Sequence, residues 1–147
     1  MRRTGDKNQL MSNKSLIELS DIEEFRKLQG SLAGLYNEIA LLSKKSPDGA
    51  VNKFKLKIVN DLICRLNRFL GDTYRPLADF DIFQEDALPT ASDIVLVFSQ
   101  YNESLKKFQT DHTYGTKWNE CWLTTNEIPV RVNGGLMERE VEKLGLK

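Results

Sequence analysis

Ser46-Pro47-Asp48-Gly49 is the stretch that most restricts how this chain can fold. Pro47 presets φ for a turn, Asp48 can bond its own backbone, and Gly49 accepts a positive φ. On either side lies a long apolar pattern with spacings of three and four. Two long helices joined by a break of about six residues are expected to pack as antiparallel neighbours.

Upstream, Ile22, Phe25, Leu28, Leu32, Leu35, Tyr36, Ile39 and Leu42 form one helical stripe. Ser20-Asp21-Ile22-Glu23 has the form of a capping box, which places this helix over about 21–45. Gly30 and Gly34 interrupt the stripe and read as tolerated glycines on a packed face. Downstream, the expected buried face is Val51, Phe54, Ile58, Leu62, Leu66 and Phe69, widened by Val59 and Ile63. That helix should span about 51–70 and stop at Gly71. Asp61 sits four residues from both Lys57 and Arg65 and should pair with them.

Pro76 and Pro89 exclude a continuous helix from Gly71 to Pro89. Tyr74, Leu77, Phe80, Phe83 and Leu88 are too apolar for a free linker. The segment is therefore expected to be a loop with a short helical turn, pinned onto the helices. Thr90-Ala91-Ser92-Asp93 offers a second capping box. Ile94, Phe98, Tyr101, Leu105 and Phe108 follow it at spacings of four and three, predicting a third helix over about 91–111. Beyond it, 118–123 and 128–132 read as a short hairpin across 124–127, with Pro129 confining its strand to an edge. Asn133-Gly134-Gly135 is a break, and 136–144 reads as one charged terminal helix. The polar residues 1–15 read as a flexible tail, leaving 16–147 as a single domain. The expected class is mainly α: an antiparallel helical hairpin, a third helix making it three-helix-bundle-like, and a small irregular or β-hairpin C-terminal element.

Charge narrows the function classes. The chain holds 21 basic and 21 acidic residues, so a globally basic, non-specific nucleic-acid binder is disfavoured. Locally the charges separate. Residues 44–68 carry seven bases and two acids (+5), among them Lys44, Lys45, Lys53, Lys55, Lys57, Arg65 and Arg68. Residues 72–93 carry six acids and one base (−5), including Asp79, Asp81, Glu85 and Asp86. The basic block reads as a solvated face, a protein-docking face or a phosphate-tracking patch. The acidic block lacks the calcium-loop pattern with its sixth-position glycine. Trp118 and Trp122 lie an even number of residues apart, so on a strand they share a face. They complete a core or anchor an interface, with Leu16 and Ile17 as partners across the domain.

Little catalytic chemistry is legible. His112 stands alone, Cys64 and Cys121 are far apart, and neither Cys-x-x-Cys nor His-Glu-x-x-His occurs. Asp111-His112 reads as a contact at a helix C-terminus. Gly134-Gly135 lack the Walker lysine and the Rossmann spacing. Cys64, in an apolar helical run, reads as a small packed hydrophobe. No metal or cofactor is expected. The first residues lack an apolar h-region and no run approaches 18 apolar residues, so neither a signal peptide nor a membrane span is expected, and no membrane partner. Two cysteines would make a thin disulfide framework, which suggests a reducing, cytoplasmic setting. The reading that follows is a small non-enzymatic interaction or accessory protein, with a protein partner or self-association into a homo-oligomer. The alternative is a nucleic-acid-binding accessory protein using the Lys44–Arg68 segment.

Overall fold

The computed structural model describes residues 16–116, 119–125 and 129–133. The tail 1–15, Trp118 and the segment 136–144 lie outside the described residues. The chain is mainly helical with a small antiparallel sheet. Its elements are helix α1 (Leu19–Lys45), helix α2 (Lys53–Tyr74), a 3-10 turn η1 (Glu85–Ala87), helix α3 (Ala91–Asp111) and strands β1 (Thr113–Tyr114), β2 (Cys121–Trp122) and β3 (Val130–Arg131). By their contacts the residues group into two compact units, 24–107 and the remainder.

In the first unit α1 and α2 are antiparallel. Glu24 meets Arg65 and Phe25 meets Phe69 at one end, while Leu42 and Lys45 line a groove with Lys55 at the other. A turn forms at 46–49, where Gly49 N–H donates to the Ser46 carbonyl at 3.2 Å, but Gly49 does not take the positive φ expected of it. Asn52 caps α2, its side-chain oxygen accepting from Lys55 N–H at 2.9 Å. Gly71 adopts φ 62 and ψ −173, a region open essentially to glycine, so the regular helix breaks there and one further turn runs to Tyr74.

Helix α3 starts as its capping box requires. Thr90 Oγ1 accepts from Asp93 N–H at 3.2 Å, and Asp93 Oδ2 accepts from Thr90 N–H at 3.0 Å. Ile94, Phe98, Tyr101, Leu105 and Phe108 are all buried, so the expected seam is the packed face. The first helix departs from its expected start. It begins at Leu19, and the carboxylate reaching back is that of Asp21, 3.4 Å from Glu18 N–H, leaving Ser20 inside the helix. The reason is pairing just upstream. Ile17 N–H donates to the Leu123 carbonyl and Thr125 N–H donates to the Ile17 carbonyl, so extended chain persists to residue 17 and the helix must follow at once.

Helix α2 holds the main correction. Its buried residues are Leu56, Val59, Leu62, Ile63, Leu66 and Leu70. Of the expected stripe, Leu62 and Leu66 are buried, but Ile58 is exposed and Phe54 is 74% exposed. Leu56 and Leu70 replace them. The helix has apolar residues on more than one flank, and only the C-terminal half of the Phe54–Ile58–Leu62–Phe69 row is covered. Cys64, expected to pack, is an exposed free thiol. Arg65 turns to Glu24 of α1 at 3.4 Å rather than to Asp61.

The second unit contains the sheet, in the order β1-β2-β3, with Thr113 opposite Trp122 and Trp122 opposite Val130. The expected hairpin of 121–122 with 130–131 is present, with β3 on the edge directly after Pro129. The third strand, β1, was not legible in the sequence. It forms because the chain leaves α3 straight into Thr113-Tyr114, where Leu123 N–H donates to the His112 carbonyl at 2.8 Å. Trp122 is 1% exposed and completes this unit's core.

The burial contrast gives a direct check. Leu66→Ala removes a fully buried side chain and should cost about 2–5 kcal/mol. Phe54→Ala, at an exposed site, should leave stability within about 0.5 kcal/mol. Urea unfolding of both variants tests the assignment of the two faces.

Candidate interaction surface

The acidic segment after α2 does not hang free. It runs back along α2 as an extended strap. Asn60 holds it at both polar groups of one residue: its Nδ2 donates to the Phe83 carbonyl and its Oδ1 accepts from Phe83 N–H, each at 2.9 Å. Two helical turns away, Asn67 Nδ2 donates to the Asp81 carbonyl at 3.3 Å. Two turns in the other direction, Lys53 pairs with Glu85 at 3.0 Å. Lys53, Asn60 and Asn67 recur every seven residues, so they share one face of the helix. Asp81, Phe83 and Glu85 alternate, as an extended chain requires for successive contacts on one side. The signal was therefore present in the sequence, but as a polar heptad rather than an apolar one.

The strap is fixed at its start as well. Arg75 donates through Nη2 to the Phe80 carbonyl at 2.6 Å and to Asp81 at 2.9 Å. The hydrogen bond to Asp81 pushes the guanidinium pKa above its ordinary value. Phe80 and Phe83 pack edge to face, centroids 5.0 Å apart. Asn67 Oδ1 in turn accepts from the Tyr101 hydroxyl of α3 at 2.5 Å, so one amide ties strap, α2 and α3 together. Burial pushes the Tyr101 phenol up from its ordinary value, against the smaller opposing effect of the Asn67 hydrogen bond.

These contacts divide the sequence-predicted residues. Lys53 and Glu85 meet, and Asp81 meets Arg75 rather than a residue of the basic block. Arg65 is spent on Glu24. Lys44 and Lys45 close the last turn of α1 and are exposed. Lys57, Arg68, Asp79 and Asp86 are exposed. Trp122 is a core residue, and Trp118 lies outside the described residues. The basic block is thus not one continuous stripe.

What sequence reasoning missed is apolar. A groove of about 360 Å³ lies between the C-terminal half of α1 and the N-terminal half of α2. Its walls include Leu35, Leu42, Phe54 and Ile58, with Leu41 on the rim and Lys45, Lys55 and Glu38 around it. Leu41, Phe54 and Ile58 are exposed. Two further depressions, of about 150 and 720 Å³, continue the surface past Ala50–Asn52, the second of them ending at Glu85, Asp86 and Leu88.

The residues weighed for chemistry are occupied structurally. His112 is buried, its ring stacked on Phe108 at 4.0 Å and its Nδ1 2.7 Å from the Phe108 carbonyl. That is the helix-end contact expected from the sequence. Thr113 Oγ1 lies 2.7 Å from both the Gln109 carbonyl and Glu120 Oε1. Among the described residues no group of three His, Cys, Asp or Glu could hold a metal ion, and no helix is long and apolar enough to cross a membrane. Neither a family model, a curated protein nor a solved structure matches the chain.

The Tyr101 environment has a pH signature. Because the folded-state pKa is raised above the unfolded value of about 10, the contribution is complete below that pH and is lost as pH rises through the folded value. The urea midpoint of the wild-type chain should therefore fall more between pH 8 and pH 11 than that of Tyr101→Phe. Equal falls would remove this residue from the alkaline transition.

Proposed function

We propose that this is a small non-enzymatic interaction protein that docks another protein chain on the face formed by α1 and α2. The observation that carries the reading is Phe54, 74% exposed beside Ile58 and Leu41 on an otherwise well-covered helix pair. Contiguous exposed apolar surface rimmed by charge marks interaction sites, whereas single exposed apolar residues are ordinary. Aromatic anchors set in grooves dominate protein interfaces. A phosphate-binding role for the Lys44–Arg68 segment has less to support it. Lys53 and Arg65 already face carboxylates, and the groove floor is aliphatic and aromatic. The structural use of His112 supports a non-enzymatic reading, and Cys64 and Cys121, both free thiols, fit a reducing compartment such as the cytoplasm.

A photo-crosslinking amino acid at position 54, with one at exposed Gln100 as control, tests this in extracts of the cell of origin. Discrete protein adducts at 54 but not at 100 are expected. Labelled DNA or RNA bound by the wild-type chain and lost on Lys55→Glu with Lys57→Glu would instead assign the face to phosphate.

A further inference from the structure

We infer that the occupant of this face is a second copy of the same chain, bound through a two-fold interface. The inference rests on the docking role proposed for the α1–α2 face and goes further in naming what fills it. Its basis is that the surface is complementary to itself. One end is concave with a basic excess: Lys45 and Lys55 outnumber Glu38 around the groove walled by Phe54 and Ile58. The other end has an acidic excess: Glu85 and Asp86 outnumber Lys53 there, beside the exposed Leu88. The depressions joining the ends share Ala50, Val51 and Asn52.

A two-fold axis through that shared middle lays the basic end of each copy on the acidic end of the other. An isologous contact of this kind closes on itself and yields a dimer. Stacking like ends would instead set Lys on Lys and Asp on Glu. Lys45, Lys55 and Asp86 have no ion-pair partner among the described residues, so their charges remain for such a contact. Glu85 has one in Lys53, but both side chains are more than half exposed, and exposed pairs of this kind are weak and readily exchanged.

Leu88 supplies the apolar half. It is 66% exposed and is the one non-glycine residue among those described with a positive φ, 49°. A bulky side chain rarely takes that conformation. Here it ends η1 and leaves the leucine standing off the surface next to Asp86. In the dimer each Leu88 enters the partner's Phe54–Ile58 groove, with Asp86 reaching Lys55. With a formal net charge of zero, two copies meet without overall repulsion.

Sedimentation of the purified full chain tests the inference, with circular dichroism confirming that each variant is folded. At low ionic strength the wild type should run at twice its 16.9 kDa mass, and salt should weaken the dimer at least tenfold. Leu88→Asp should run as a monomer. Aspartate accepts a left-handed conformation better than leucine does, so folding is not the cause. Lys55→Glu alone and Asp86→Lys alone should each be monomeric, while their equimolar mixture dimerises again, because one contact is then native, the other is reversed, and both are matched. A wild type monomeric at all concentrations, a Leu88→Asp dimer, or a mixture that stays monomeric would overturn the inference. A crosslink from position 54 to a different protein would reject the second copy yet leave the docking role standing, whereas no crosslink to any protein would remove both.

Discussion

The pairing of Asn60 with the backbone of Phe83 is the constraint on which the proposed docking face depends. An extended segment beside a helix has no ladder to join, because the helix has spent its backbone groups internally. Each buried amide and carbonyl left without a partner would cost about 1–3 kcal/mol. Asparagine resolves this, since its side chain presents one donor and one acceptor in the geometry of a peptide group. Asn60 satisfies both groups of Phe83, and Asn67 repeats half the arrangement two turns away. The strap is thereby carried to the N-terminal end of α2, where its acids and Leu88 come to lie beside the groove.

That position gives the charge separation its meaning. Blocks of +5 and −5 in one neutral chain are distant in neither sequence nor space. The strap brings Glu85 to Lys53 but leaves Asp86, Lys45 and Lys55 without an ion-pair partner among the described residues. The face therefore carries both signs, with the exposed Leu88 at one end and the apolar groove at the other. This is the property on which the proposed pairing with a second copy rests, since a matched surface also disfavours a like-charged partner.

Much of the architecture was legible in the residues. The turn at 46–49, the antiparallel helix pair, the α3 seam with its Thr90–Asp93 box, the pinned acidic segment and the 121–122 with 130–131 hairpin all follow from local chemistry that no later packing overrides. The misses have physical causes. Helix α2 has apolar residues on two flanks, and periodicity alone cannot say which flank meets the core: Phe54 and Ile58, expected inside, are exposed, and Leu56 and Leu70 are buried. The start of α1 is set by the pairing of Ile17 with residues 123 and 125, over a hundred positions away. The groove could not be read at all, because it exists only where covered and uncovered halves of one stripe meet. The polar heptad Lys53, Asn60 and Asn67 was readable, but apolar periodicity is the usual guide, and a row of amides looks like solvated surface.

Hydrogen exchange at the Phe83 amide tests the central claim most directly. This amide lies in neither a helix nor a strand, so it should exchange as fast as a free loop unless Asn60 holds it. The account predicts that it is slowed at least a hundredfold in the wild-type chain and released in Asn60→Ala while the amides of α1 and α3 stay protected. Fast exchange of Phe83 in the wild-type chain would contradict it, and the acidic end of the face would lose its anchor.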